Sequence, residues 1–235
     1  MRFEAQISEC VLMDQQRTQM RLLETAAEVF AEHGLRGARV REICERANAN
    51  IAAINYYFRD KDGLYDAVLR HAFFNLPKID IAAMEAANEP PEMLLRDFVR
   101  SLLGQLVGTG RAGLYAKLIA RELVDPTHAI LGVIDEGIRP QVELAAKQVR
   151  RILGPGASQK LVWRCAGSIL GQCLYYYFGQ PVILGIGMEE SLEPPVLDQI
   201  ADHIVQFSLA GLAGLKRRKT GRMPKRPSPV ARATK

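Results

Sequence analysis

Residues 39–58 read RVREICERANANIAAINYYF, and no other stretch constrains the fold as tightly. Val40, Ile43, Cys44 and Ala47 share one face at helical spacing, which predicts a short helix over 40–47. Asn48-Ala49-Asn50 interrupts it, and a third helix covers 51–57. Asn48 suits a turn because Asn tolerates a left-handed backbone, and Asn50 is placed to cap the next helix. Two short helices joined by a turn of about three or four residues form a helix-turn-helix, whose second helix fits a DNA major groove.

The flanking pattern is helical too. Leu23, Ala26, Ala27 and Phe30 make an apolar stripe on one helix, and Gly34 reads as the glycine that ends it. Asp60 is placed to cap a fourth helix that carries Leu64, Val68 and Leu69 inward. Pro90-Pro91 opens a helix through Leu94, Leu95, Phe98, Leu102 and Leu106. Further helices are expected over 114–124, over 127–153 with bends at Gly132 and Pro140, from Ser158 to Phe178, and from Val196 to about Leu215, with a loop over 185–195. No strand-like alternation appears, so the class is all-α, with about nine helices. The expected organisation is a flexible arm (1–15), a helix-turn-helix head (16–75), a larger ligand-binding and dimerisation unit (76–215) and a disordered basic tail (216–235).

The net charge of +5 does not by itself argue for DNA. Nine of the 31 basic residues lie in 216–235, which has no acid, so the other 22 stand against 26 acids. The folded part is mildly acidic, and any case for DNA must rest on local residues. No apolar run is long enough to span a membrane, and the first 20 residues carry acids and glutamines where a signal peptide needs an apolar run. A cytoplasmic protein without membrane contact is expected. The four cysteines form no CxxC pair and read as buried thiols. The four histidines have no metal-ligand spacing, and HExxH, GxSxG, GxxxxGK[ST] and GxGxxG are all missing. Neither an enzyme nor a cofactor is expected.

Locally, Ala52 and Ala53 let the backbone of the third helix approach a groove wall. Asn55 can pair bidentately with adenine, and Tyr56 can reach a phosphate or a base methyl. Arg39 and Arg41 can bind backbone phosphates, as can Lys61 at the start of the fourth helix. Ile51 and the acidic body leave a second reading open, a helical interaction module without specific DNA binding.

The run F-A-E-x-G, then V-R-E-I-C-E-R-A, then N-Y-Y-F-x-D-K-D-G-L-Y resembles the tetracycline-repressor (TetR) family over 17–69. The resemblance implies an all-α homodimer with a small DNA-binding head and a larger effector domain. By position, Asn50 matches a frequent Ser at the head of the recognition helix, and Ala52 and Ala53 match the small pair that meets the groove. Asn55 and Tyr56 replace a frequent Tyr and a frequent His that point at DNA, and Tyr57 and Lys61 match residues that hold phosphates. Arg39 stands where a capping Thr is frequent, and Ile51 where a Lys is frequent. The runs LYAKLIARELVDPT, GIRP and LYYYFGQPV resemble the CerR-type (YbiH-like) subgroup over 92–214. That implies a repressor of export or drug-sensitivity genes, binding palindromic double-stranded operator DNA and released by a small-molecule effector. It also implies a homodimer through the last two long helices. Ala166, Gly167, Leu170, Gly171 and Leu174 supply a small-residue surface there, and Ile200, Ile204, Phe207 and Leu212 a ridge. Arg121, Glu122, His128, Arg139, Trp163, Gln172 and Tyr176 are the effector-contact candidates.

Overall fold

A computed structural model describes residues 2–75 and 89–220. Every regular element among them is helical: α1 (Arg2–Gly37), α2 (Val40–Arg46), α3 (Ile51–Phe58), α4 (Lys61–Phe74), α5 (Pro91–Val107) and α6 (Gly110–Val124) come first. α7 (Ile130–Val133), a π turn (Ile134–Ile138), α8 (Arg139–Leu153), α9 (Gln159–Phe178), α10 (Gln180–Gly185) and α11 (Val196–Thr220) follow.

Local chemistry sets most boundaries. Gly34 adopts φ 69°, ψ 174°, a conformation nearly closed to other residues, and it breaks the helical path inside α1. Asn48 sits at φ 46° between α2 and α3, and the Asn50 side chain accepts from Ala52 N at 3.0 Å. Asp60 accepts from Gly63 N at 2.7 Å, and Ser158 from Leu161 N at 3.3 Å. Arg39 precedes α2 without a side-chain cap.

Several expectations need correction. Residues 2–15, expected as a loose arm, continue α1. The long helix over 127–153 is instead α7 and α8 joined through the π turn, with Pro140 in the first turn of α8 where its missing N–H costs nothing. α10, absent from the sequence reading, brings the described α-helices to eleven. α11 runs past Leu215 to Thr220, and the rest of the basic tail lies outside the described residues.

Two apolar cores organise the chain. The first joins Leu22, Phe30, Ile43, Ile54, Leu64 and Val68 of α1–α4, and Tyr115 and Leu118 of α6 close it. The second joins Leu95, Phe98, Val149, Ile169, Ile200 and Ile204 of α5, α8, α9 and α11. Each fully buried side chain of this size stabilises the fold by about 1.5–3 kcal/mol. Paired hydrogen bonds from Arg96 to Asp202, 2.6 and 2.8 Å, fasten α5 to α11. α6 thus serves as a wall of the N-terminal core while packing also on α5.

Candidate nucleic-acid interface and effector cavity

α3 has one inward and one outward face. Ile54 and Phe58 are buried, while Ile51, Ala52, Asn55 and Tyr56 are exposed, Tyr56 at 73%. Ala53 is half-buried against the core. Tyr57 also packs there, with its ring edge-to-face on Tyr56 at 4.9 Å between centroids. The outward side of α3 is therefore a small-residue strip followed by an amide and a phenol, which can approach base edges. Arg39 and Arg41, at the start of α2, are exposed, and Arg41 holds Glu45 at 2.8 Å in an exchangeable surface ion pair. Lys61 is partly buried and donates to the Ala38 carbonyl at 3.3 Å, so its ammonium braces the link between α1 and α2. Arg59 makes the turn between α3 and α4 at φ 72°, which no sequence signal announced.

Glu32, His33 and Glu42 bring three possible metal ligands together. They are surface-facing, and Arg46 already holds Glu42 at 2.7 Å and Glu32 at 3.3 Å.

Of the effector-contact candidates, Arg121, Glu122 and His128 line one polar pocket together, and the other four lie apart from it. Glu122 is 1% exposed and accepts from Tyr65 Oη at 2.6 Å and from Thr127 N at 3.0 Å, with Thr127 Oγ1 at 3.0 Å as well. Its lone pairs are taken up in joining α6 to α4. Burial first, then the bond to Glu122, hold the Tyr65 phenol far above its ordinary pKa. The Arg121 guanidinium lies over Gly34, with Nε 2.6 Å from where a Cβ would stand. His128 Nε2 is 3.3 Å from Asp66 Oδ1. These three residues lie at the junction of the N-terminal helices with α6. Arg139 is exposed and paired with Asp135 at 2.6 Å. Trp163 faces outward on α9. Gln172 donates to Ser208 Oγ of α11 at 3.2 Å, and Tyr176 packs on the second core.

None of the seven lines the apolar cavity of the C-terminal helices, which measures about 160 Å³. Its walls include Phe73 of α4, Leu102 and Leu106 of α5, Ile119 and Ala120 of α6, and Leu170 of α9. Sequence reasoning missed these residues because it sought polar groups, and an apolar wall looks like any core stripe. α6 meets both regions: Tyr115, Leu118 and Glu122 face the N-terminal core, Ala116, Ala120 and Leu123 line the cavity, and Ile119 touches both.

The expected dimer surface divides. Ala166, Ile200, Ile204 and Leu212 are buried inside the protomer, and Leu170 and Leu174 line the cavity. Gly167 and Gly171 of α9 remain exposed, as do Phe207 and Gly211 of α11. Cys44, Cys165 and Cys173 are buried, and burial pushes the Cys173 thiol up to about 12. No described helix is long and apolar enough to cross a membrane.

Comparison with known proteins gives two family matches. Residues 22–68 match the model for bacterial regulatory proteins of the tetR family. Residues 91–212 match the C-terminal domain of the HTH-type transcriptional dual regulator CecR, the subgroup whose CerR-type likeness the sequence showed. The CecR dual regulator of Shigella flexneri is 28% identical over 186 residues, spanning 72% of this chain and 79% of its own length. A linker-substituted mutant of HlyIIR superposes with a TM-score of 0.59 at 18% identity, covering 82% of this chain and 95% of that one. AibR, solved with isovaleryl coenzyme A and operator DNA, superposes at 0.58 with 18% identity, covering 81% and 97%.

Proposed function

The chain belongs to the tetR family of bacterial transcription regulators, with a CecR-type C-terminal domain, and from that premise we propose that it is a homodimeric repressor released from a palindromic operator by a small-molecule effector. The observation that carries this is the outward face of α3, where Ala52, Asn55 and Tyr56 stand exposed, with Arg39 and Arg41 exposed at the start of α2. Asn55 and Tyr56 read bases, and Ala52 and Ala53 meet the groove wall. Arg39, Arg41, Tyr57 and Lys61 serve the phosphates, with Asn50 fixing the start of the helix. Residues 16–75 act as the DNA-binding unit and 76–215 as the effector and dimerisation unit.

The second copy docks on the exposed strip of α9 and α11 around Gly167, Gly171 and Phe207, since small residues let helices approach closely. A two-fold dimer sets its heads at half-sites about 34 Å, one DNA turn, or a multiple apart. The effector occupies the apolar cavity, and α6 transmits its arrival to the DNA-binding unit. The ligand shifts the population of head spacings only as far as its affinities for the two states differ. Footprinting on DNA upstream of the protein's own gene tests the reading. A protected palindrome is expected; no protection by folded dimer at low salt would overturn it.

A further inference from the structure

The cavity lining has a chemical character that selects its occupant. Among the described residues, Gln105 and Gln141 are its only polar side chains, and none is charged. The remaining wall is aliphatic apart from Phe73. Gln105 is 7% exposed and donates to Ser101 Oγ at 3.2 Å. Gln141 is half-buried and makes no side-chain hydrogen bond within the described residues. A carboxamide both donates and accepts, so Gln141 can satisfy a carbonyl, hydroxyl or amide but cannot neutralise a charge. An ion entering such a wall loses its hydration without a counter-charge in return. Size narrows the occupant further. The cavity is about 160 Å³, and an apolar cavity of about 150 Å³ accommodates one benzene ring.

Resting on the regulator reading above, we propose that the effector is a compact, uncharged molecule about one aromatic ring in size, with a single hydrogen-bonding group that docks on Gln141. Its apolar body packs on Leu102, Leu106, Ile119 and Leu170, and on Phe73. Phe73 is the one lining residue contributed by α4, so an occupant touches the DNA-binding unit directly.

Calorimetry on the full-length protein without DNA tests this with benzamide, benzoate and toluene. Benzamide and benzoate have nearly the same shape and differ in charge. Benzamide should bind at least about tenfold more tightly than benzoate. Gln141→Leu should weaken benzamide about fivefold and leave toluene unchanged, as expected for one neutral hydrogen bond. Ala120→Leu, which fills the cavity, should abolish both. If that variant fails to fold, hydrogen exchange on the unmodified chain replaces it, with benzamide protecting α6 and α9. Benzoate binding as tightly as benzamide would overturn the proposal, as would benzamide binding that neither variant weakens. No binding by benzamide or toluene at millimolar concentration would also overturn it, whether or not a longer acyl chain binds instead. Because this readout involves no DNA, it separates from the footprint. Operator protection without benzamide binding sinks the ligand class alone, and benzamide binding without protection sinks the regulator reading.

Discussion

The Tyr65 hydroxyl donates to the buried Glu122 carboxylate at 2.6 Å, joining α4 of the DNA-binding unit to α6, which forms one wall of the cavity. The same carboxylate takes Thr127 N and Oγ1, so one side chain ties α4, α6 and the link to α7 together. Tyr65→Phe removes one donor and leaves two, with an expected loss of about 1.5–3 kcal/mol for a hydrogen bond to a charged group. Glu122→Leu strands the Tyr65 hydroxyl and the Thr127 amide together and should cost more. Urea unfolding orders the two variants, and equal midpoints for both would contradict the geometry.

A second contact across the same junction constrains Gly34. Its φ of 69° and ψ of 174° lie where side chains are strained, and a Cβ there would also stand 2.6 Å from Arg121 Nε. Gly34→Ala is expected to lose about 1–3 kcal/mol from backbone strain, plus the cost of displacing the guanidinium. Adding Arg121→Ala should recover only the second part, measured as thermal unfolding of both variants. Full recovery would mean that the backbone strain is absent.

How much of this was legible in the sequence depends on how local the cause is. Asn48, Asn50, Asp60 and Ser158 act within a few residues of themselves, and the turns and caps they make were readable. Glu122 was visible as a charge in an apolar helix, but its partner Tyr65 is 57 residues away and no spacing links the two. The stripe through Leu64, Val68 and Leu69 does place Tyr65 inward by helical spacing, a signal that was available. On α11, Ile200, Ile204 and Leu212 formed a plain apolar ridge, yet its direction could not be read from α11 alone. The ridge packs into the protomer's own core, and Phe207 alone of that set faces out.

Operator recognition should separate base reading from phosphate binding. Asn55→Ala and Tyr56→Ala remove exposed groups of α3 with little cost to the core, since Ile54 and Phe58 carry its packing. Each is expected to lose about 1–3 kcal/mol of discrimination between operator and random DNA while keeping salt-sensitive nonspecific binding. Arg41→Ala should instead weaken both DNAs alike and lower the salt slope by about one. Mobility shifts over a salt series measure both quantities. Uniform loss in the Asn55 and Tyr56 variants would count against base contact.

The α4–α6 junction also predicts a pH effect. His71 of α4 packs edge-to-face on Tyr115 of α6 at 5.9 Å, and burial holds its pKa below the usual 6.5, with Glu24 and Arg111 acting on it in opposite senses. The unfolded chain therefore takes up the proton first as pH falls. Stability from this site is complete above 6.5 and declines as pH drops below it toward the lower folded pKa. Denaturant midpoints of the parent should fall over that acid range. Those of His71→Phe should fall less, and identical pH profiles would remove His71 as the cause.

Transmission from cavity to DNA can be probed without any ligand. A Cβ added at Gly137, in the π turn between α7 and α8, would overlap the Phe73 ring. Phe73 belongs to α4 and lines the cavity, so Gly137→Ala crowds the same α4 side chain that an occupant would touch. The ring can yield toward the cavity or carry α4 with it, and the two outcomes differ at the operator. If α4 follows, Gly137→Ala weakens operator binding without effector, in a dimer that remains folded. Phe73→Ala in the same background should restore it, because the pushed group is gone. Double-mutant binding measurements give the coupling between the two sites, expected at about 0.5–3 kcal/mol for residues in contact. Operator affinity unchanged by Gly137→Ala, with the π turn intact by hydrogen exchange, would show that the ring gives way and that Phe73 does not transmit.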